Sequence, residues 1–390
     1  MTWLEETEKL IPRAAGRIPD WEAVTARFSA CSAFARLGET PQNPVYHGEG
    51  DVGVHTRMVC EALAEDPEYG ALTREEQTAA FIAAVLHDTG KAVTTQWADG
   101  AWHSPHHAPA GARIARSFLW EECGLCGTAD ALRKREEICA LIRRHMVPPY
   151  LPERDHPERE IRRIAAAGET APLFTWRLLC LLSKADISGR IACDRQEQLD
   201  QVALSRLMAE EAGCLNGPGK FTDRHVRRAY FAGRKVLPDQ PLYDDTWGEV
   251  TMLSGLPGTG KDTWIARNLP GLPMVSLDRL REELNIRPTE NQSPVAAAAQ
   301  DRARALLRQH QPFVWNAANL SRERREGLIA LFERCGARVR IVYLETDLPT
   351  LLARNINRAA AVPERVLLDL LQKTEPPQPY EAHTVEWRCV

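Results

Sequence analysis

Two groups of residues in this chain have types and spacing suited to chemistry. The first lies in Thr251-Met-Leu-Ser-Gly-Leu-Pro-Gly-Thr-Gly-Lys-Asp-Thr-Trp264, which reads as the end of a strand, a glycine-rich loop and the start of a helix. Gly255, Gly258 and Gly260, with Thr259 among them, let successive backbone N–H groups turn inward around an anion. Lys261 adds a positive charge where the following helix presents its positive end. This spacing grips the phosphates of a nucleoside triphosphate and predicts ATP with Mg²⁺ as the ligand. Asp262 stands where a hydroxyl normally holds Mg²⁺, with Thr263 one place later. A carboxylate can ligate Mg²⁺ directly.

The second group centres on His87-Asp88, followed by Thr89-Gly90-Lys91. An imidazole beside a carboxylate on one rigid element offers two adjacent ligands to a divalent cation. His55, His107, His145 and Asp186 lie within or beside other predicted helices with apolar faces. A lone histidine on such a helix is usually a satisfied core residue. Six ligand-type side chains on several helices can instead converge on one bundle interior. Mixed nitrogen and oxygen ligation suits Mn²⁺, Fe²⁺, Co²⁺ or Ni²⁺ better than Ca²⁺. Such an ion lowers the pKa of bound water from 15.7 to about 7 and so supports phosphoester hydrolysis. His47, His103 and His106 read as polar loop residues.

The elements that must position these groups change character along the chain. Residues 1–236 read as an all-α domain. Thr73-x-x-Glu76 is a capping-box start to a helix running through Leu86, and similar apolar faces recur at Val52–Leu63, Ile138–Ile142 and Leu178–Leu182. The proline-bearing segment 237–247 reads as a linker. Residues 248–390 read as an α/β domain with a parallel sheet, its strands at Val250–Leu253, Met274–Leu277, Phe313–Trp315 and Val339–Leu344. Helices at Val295–His310 and Ser321–Cys335 separate them, the latter stopped by Gly336.

Asp278-x-x-Arg281 follows the second of those strands, at the sheet edge where a transferred phosphoryl group would sit. The aspartate can accept a hydroxyl proton while the arginine holds a neighbouring phosphate. A helix N-cap is the other reading of Asp278. Arg354 and Arg358, four apart on one helix face, can reach over the β and γ phosphates as a lid, or form a solvated face.

With a net charge of −4 over 390 residues, no overall basic field announces nucleic acid. No apolar run approaches the roughly 20 residues of a membrane span, and no signal-peptide layout opens the chain. Ten scattered cysteines, with Cys123-Gly-Leu-Cys126 as the only close pair, point to reduced thiols and a cytoplasmic setting.

The pattern His55…His87-Asp88…Asp186 resembles the HD phosphohydrolase superfamily over about residues 45–195. That resemblance implies that these four bind one metal. It also implies that His107 and His145 serve a second, and that Lys91 faces the substrate phosphate. The loop, Asp278-x-x-Arg281, Asn316-Ala-Ala-Asn319 and Arg354-Asn-Ile-Asn-Arg358 with Val362-Pro363 resemble, in that order, 5′-hydroxyl polynucleotide kinases. This second likeness implies Lys261, Arg354 and Arg358 on the ATP phosphates, Asp278 as general base, and Arg281 on the phosphate beside the acceptor hydroxyl. The chain as a whole resembles bacterial HD–polynucleotide kinase fusions, which are nucleic-acid end-healing enzymes. The implied activities are metal-dependent 2′,3′-phosphoesterase and 5′-OH kinase, acting in RNA repair on single-stranded RNA or DNA ends, with a ligase downstream and no membrane partner. The alternative is a nucleotide-metabolism fusion of an HD nucleotidase with a small-metabolite kinase. A nucleotide sensor without turnover would need neither a base nor a lid.

Overall fold

The computed structural model describes residues 2–14, 16–357 and 361–390. Its contacts divide the chain into two compact units, Met1–Leu125 with Asp130–Gly219, and Cys126–Ala129 with Lys220–Val390.

The first unit is helical, and its central element is Arg74–Leu86. The expected capping box forms: Glu76 N donates to Thr73 Oγ1 at 3.3 Å, and Thr73 N donates to Glu76 Oε2 at 2.9 Å. Every residue from Gln77 to Leu86 is buried, so this helix is surrounded rather than amphipathic. Val59 and Leu63 of helix Val52–Glu65, Ile138 and Ile142 of helix Ala129–Arg144, and Leu178 and Leu182 of helix Trp176–Ser188 share its core. Asp51 and Thr175 cap the first and last of these, at 2.9 and 3.2 Å. A short antiparallel hairpin, β1 (Gln96–Ala98) and β2 (Ala101–His103), precedes helix His107–Glu121.

The second unit holds a parallel sheet of five strands: β3 (Gly248–Ser254), β4 (Met274–Ser276), β5 (Phe313–Asn316), β6 (Ala337–Glu345) and β7 (Thr384–Cys389). Their order is β4-β5-β3-β6-β7, with Met252 of β3 in register with Trp315 and Ile341. Because β3 lies between β5 and β6, the crevice outside its carboxyl end is where an open parallel sheet binds ligands. The glycine-rich loop starts there.

Two expectations differ from what is observed. The second strand stops at Ser276 and Leu277 opens a helix, because Ser276 Oγ caps Arg279 N at 3.4 Å. Helix Arg224–Phe231, expected within the first domain ending at residue 236, groups with the second unit. Arg228 pairs with Glu333 at 2.8 Å, and Arg227 Nη2 donates to His383 O at 3.0 Å. Among the described residues, no helix is long and apolar enough to cross a membrane.

Candidate functional site

The six ligand-type residues of the first unit come from five helices or their ends. His55 lies in the first turns of Val52–Glu65, and His87 caps the C-terminus of Arg74–Leu86 with Asp88 next. His107 opens its helix, His145 follows Arg144, and Asp186 sits in the last turn of Trp176–Ser188. Asp88 is the hub. Its Oδ2 lies 3.2 Å from His87 Nε2 and 3.6 Å from His55 Nε2, and its Oδ1 lies 3.5 Å from His107 Nε2 and 3.9 Å from His145 Nε2. Asp186 Oδ1 lies 3.0 Å from His55 Nε2 and 3.9 Å from His87 Nε2. One carboxylate therefore faces two groups of imidazoles, His55 with His87 on one side and His107 with His145 on the other.

The ring orientations fit metal ligation. A carbonyl can only accept, so the Nδ1 atoms of His87, His107 and His145 donate to Ala84 O (2.7 Å), Ser104 O (2.9 Å) and Ile142 O (2.7 Å). Each Nε2 then presents a lone pair to the centre, the arrangement that outer partners impose on metal-binding histidines. Among the described residues, the buried atoms His87 Nε2, His107 Nε2, His145 Nε2 and Asp88 Oδ1 have no hydrogen-bond partner. Orphaned acceptors converging on one point are costly unless a cation satisfies them. Burial pushes the His145 imidazole down to about 4, keeping it neutral. Burial opposes charge on Asp88 and Asp186 as well. His87 and Lys91 outweigh it for Asp88, and the His55 hydrogen bond with His87 outweighs it for Asp186, so both carboxyls stay well below their ordinary range.

Lys91 Nζ lies 2.8 Å from Asp88 Oδ2 and 2.7 Å from Gln42 Oε1, a partner no sequence pattern indicated. The turn that carries it is tight. A Cβ on Gly90 would collide with His107 O and lie 2.6 Å from Gly111 N, so this glycine lets the His87-Asp88 turn pack directly on the start of the His107 helix. His107 and Asp186, with side chains 16% and 11% exposed, form the open rim; His55, His87 and His145 are almost wholly covered. His47 does not behave as loop polarity: its Nδ1 lies 2.8 Å from Glu49 Oε1. His103 and His106 are exposed.

In the second unit the glycine-rich loop joins β3 to helix Lys261–Asn268. Gly255, Gly258 and Gly260 all have positive φ, at 146°, 89° and 81°. At Gly255 space also matters, since a Cβ would strike Leu344 O on the neighbouring strand. Gly260 hands the chain into the helix, whose unsatisfied first N–H groups provide an anion site. Lys261 Nζ donates to Gly255 O and Leu256 O, both at 2.9 Å, which holds it over the loop. Buried Thr259 braces the turn through Leu256 O at 2.8 Å.

Comparison with known proteins finds a family match in each unit. The HD domain family matches residues 52–167, and an AAA domain family matches residues 250–377. The chain joins an HD domain to a P-loop AAA domain. The HD match takes in His55, His87, Asp88, His107 and His145, and Asp186 lies beyond its end. A multifunctional CCA protein from Halorhodospira halophila (strain DSM 244 / SL1) is 38% identical over 76 residues, which is 20% of this chain and 16% of that protein. The chain thus matches about a sixth of that relative's length. A gluconokinase from Sinorhizobium meliloti 1021 superposes at a TM-score of 0.28 with 22% identity, over 37% of this chain and 84% of its own.

Within the AAA domain, exposed Asp262 accepts a hydrogen bond from Asn316 Nδ2 at 2.7 Å, with Thr263 exposed beside it. Asn316 ends β5, so that strand orients Asp262. Asn319 instead braces the sheet, donating to Leu253 O at 2.6 Å. Asp278 is not the cap of its helix; Ser276 is. Asp278 pairs with Arg281 one turn on, and Arg281 Nε donates to Gln292 Oε1 at 2.7 Å. Helix Leu348–Ile356 crosses the loop, and Arg354 Nη1 would lie 3.6 Å from a Cβ on Gly260. Asn355 fixes the end of that helix through reciprocal bonds with Val362, at 2.7 and 3.0 Å. Arg358 lies outside the described residues.

Proposed function

We propose that this protein heals broken nucleic-acid ends, its HD domain removing a 2′,3′-cyclic phosphate and its AAA domain phosphorylating a 5′-hydroxyl. The observation that carries the reading is the Asp278–Arg281 pair at the carboxyl end of β4, in the same domain as the phosphate loop. Ser276 takes the cap, and Asp278, in the first turn of the helix and paired with Arg281, is the residue we read as acceptor of a hydroxyl proton. Arg281, beside it, suits a phosphate near that hydroxyl, which the 5′-terminal nucleotide of a strand has on its 3′ side and a free nucleoside lacks. Lys261, held over the loop, and Arg354, beside Gly260, would bind and orient the phosphates of ATP, and Asp262, oriented by Asn316, would hold the Mg²⁺ that accompanies them.

In the HD domain, His55, His87, Asp88 and Asp186 would hold one divalent ion, and His107, His145 and Asp88 a second. Mn²⁺, Fe²⁺, Co²⁺ and Ni²⁺ suit this donor set, and such ions supply hydroxide at neutral pH and counter charge for phosphoester hydrolysis. Lys91 stands at the edge of that cluster to orient a phosphate oxygen. Strand scission by a 2′-hydroxyl leaves a cyclic phosphate on one end and a 5′-hydroxyl on the other, so both domains address one lesion and leave ends fit for a ligase. The test is a single-stranded RNA with a 5′-hydroxyl and a 2′,3′-cyclic phosphate, incubated with γ-labelled ATP, Mg²⁺ and Mn²⁺. Labelled 5′ ends with opened or lost 3′ phosphate are expected. Transfer to free nucleosides alone, with phosphate released only from mononucleotides, would establish the nucleotide-metabolism alternative instead.

A further inference from the structure

We propose that Glu49 is a positioning residue of the HD metal centre, fixing His55 as a ligand and clasping the His55 and Asp186 elements together. The inference rests on the metal site described above and adds a residue to it. Three of the four imidazoles set their orientation with a backbone carbonyl. His87 and His145, at helix C-termini, reach the carbonyls three residues back, where the helix leaves acceptors unused. His107 reaches back to Ser104, ahead of its helix. His55 has no such resource. It lies in the first turns of its helix, and the carbonyl three residues back, Val52 O, already accepts from Thr56 Oγ1 at 2.7 Å.

Glu49 fills that gap from the loop preceding the helix. Its Oε1 lies 3.0 Å from His55 Nδ1 and 2.8 Å from His47 Nδ1, with the Glu49 side chain only 1% exposed. Asp186 Oδ1 faces the opposite nitrogen, Nε2, at 3.0 Å; with a cation bound between those two atoms, Glu49 would hold the ring proton on Nδ1 and leave Nε2 as the donor atom toward the metal. The other oxygen, Oε2, accepts from Ile191 N at 2.8 Å, and Gly48 N donates to Ile191 O at 2.9 Å. Ile191 follows closely on the helix that bears Asp186. One side chain therefore grips both ends of the His55–Asp186 pair.

A glutamine cannot replace both functions, because its amide nitrogen donates where Ile191 N also donates. The experiment is Mn²⁺ titration of the full chain by electron paramagnetic resonance, comparing wild type, Glu49→Gln and Glu49→Ala, with metal-free melting temperature and kinase activity measured alongside. The expected result is a 10–100-fold weaker Mn²⁺ affinity at unchanged stoichiometry, the range reported for lost outer partners. Kinase activity should hold, and the metal-free melting temperature of Glu49→Gln should be close to wild type. Wild-type affinity in both variants would overturn the inference while leaving the metal site intact. So would a lower stoichiometry, which would make Glu49 a ligand, or an affinity loss matched by collapse of kinase activity and melting temperature. A wild type that binds no Mn²⁺ would overturn the metal site itself.

Discussion

His55 Nε2 and Asp186 Oδ1 meet at 3.0 Å although 131 residues separate them along the chain. Their helices are brought together at Gly189, where a Cβ would lie 2.6 Å from Val59 N and 2.8 Å from Val59 Cα. No side chain fits between. Gly189→Ala should therefore push the two ligands apart, weakening Mn²⁺ binding and phosphoesterase activity at least tenfold while 5′ phosphorylation continues. Isothermal titration with parallel assays of both reactions would show it.

Asp88 serves both groups of imidazoles, so it is the ligand whose loss should do most damage. Asp88→Asn keeps the shape but removes the charge and a ligating oxygen. Cyclic phosphate hydrolysis should fall by three orders of magnitude or more, with kinase activity within about twofold of wild type. Loss of both activities together would point to one shared site or a folding defect.

In the AAA domain, Asp278→Asn should lower kcat for 5′ phosphorylation by about 10²–10⁴-fold, the usual contribution of a general base. KM for ATP should change little. Ser276→Ala is the matched control, costing about 1 kcal/mol of stability through the lost cap but sparing the chemistry. Steady-state kinetics and thermal melts on both variants make the distinction.

The Asp262–Asn316 hydrogen bond implies that Asp262 has an orientation to lose. Asp262→Ala should reduce kinase activity tenfold or more and raise the Mg²⁺ concentration needed for half-maximal rate. Asn316→Ala should do the same more weakly. A Mg²⁺ requirement unchanged in Asp262→Ala would remove the carboxylate from metal binding.

His383 gives the second unit a pH dependence. Its Nδ1 accepts from Val339 N at 3.2 Å, which requires the neutral ring. Burial, then the Arg228 charge, push its pKa from 6.5 down to about 3. Between those values the unfolded chain binds a proton that the folded chain refuses. The stabilisation is thus complete above pH 6.5 and is lost as pH falls toward 3, by at most about 1.4 kcal/mol per unit. His383→Asn, which can keep the acceptor, should flatten this slope in denaturant titrations of the full chain.

Much of the fold was legible because its signals are local. The capping box at Thr73, the strand of apolar residues before Gly255 and the glycines themselves each predict their own structure. The edge strand β7 was missed, since Thr384–Cys389 is half-buried apart from exposed Arg388 and lacks the apolar run of the inner strands. The hairpin was missed despite a usable cue: Asp99-Gly100, both with positive φ, is a favoured two-residue turn. At the metal centre, histidines and aspartates could be proposed from their types, whereas Glu49 and Gln42 could not. A carboxylate or amide in a loop carries no periodicity, and only tertiary packing shows which side chain it meets. Asp278 shows the opposite case, where the sequence left cap and base equally open and one hydrogen bond to Ser276 removed the cap.

The most direct measurement is anomalous diffraction from crystals of the full chain soaked in Mn²⁺. A peak enclosed by His55, His87, Asp88 and Asp186 is predicted, with a second between Asp88, His107 and His145. An absence of anomalous density there, at Mn²⁺ concentrations that sustain hydrolysis, would contradict the account.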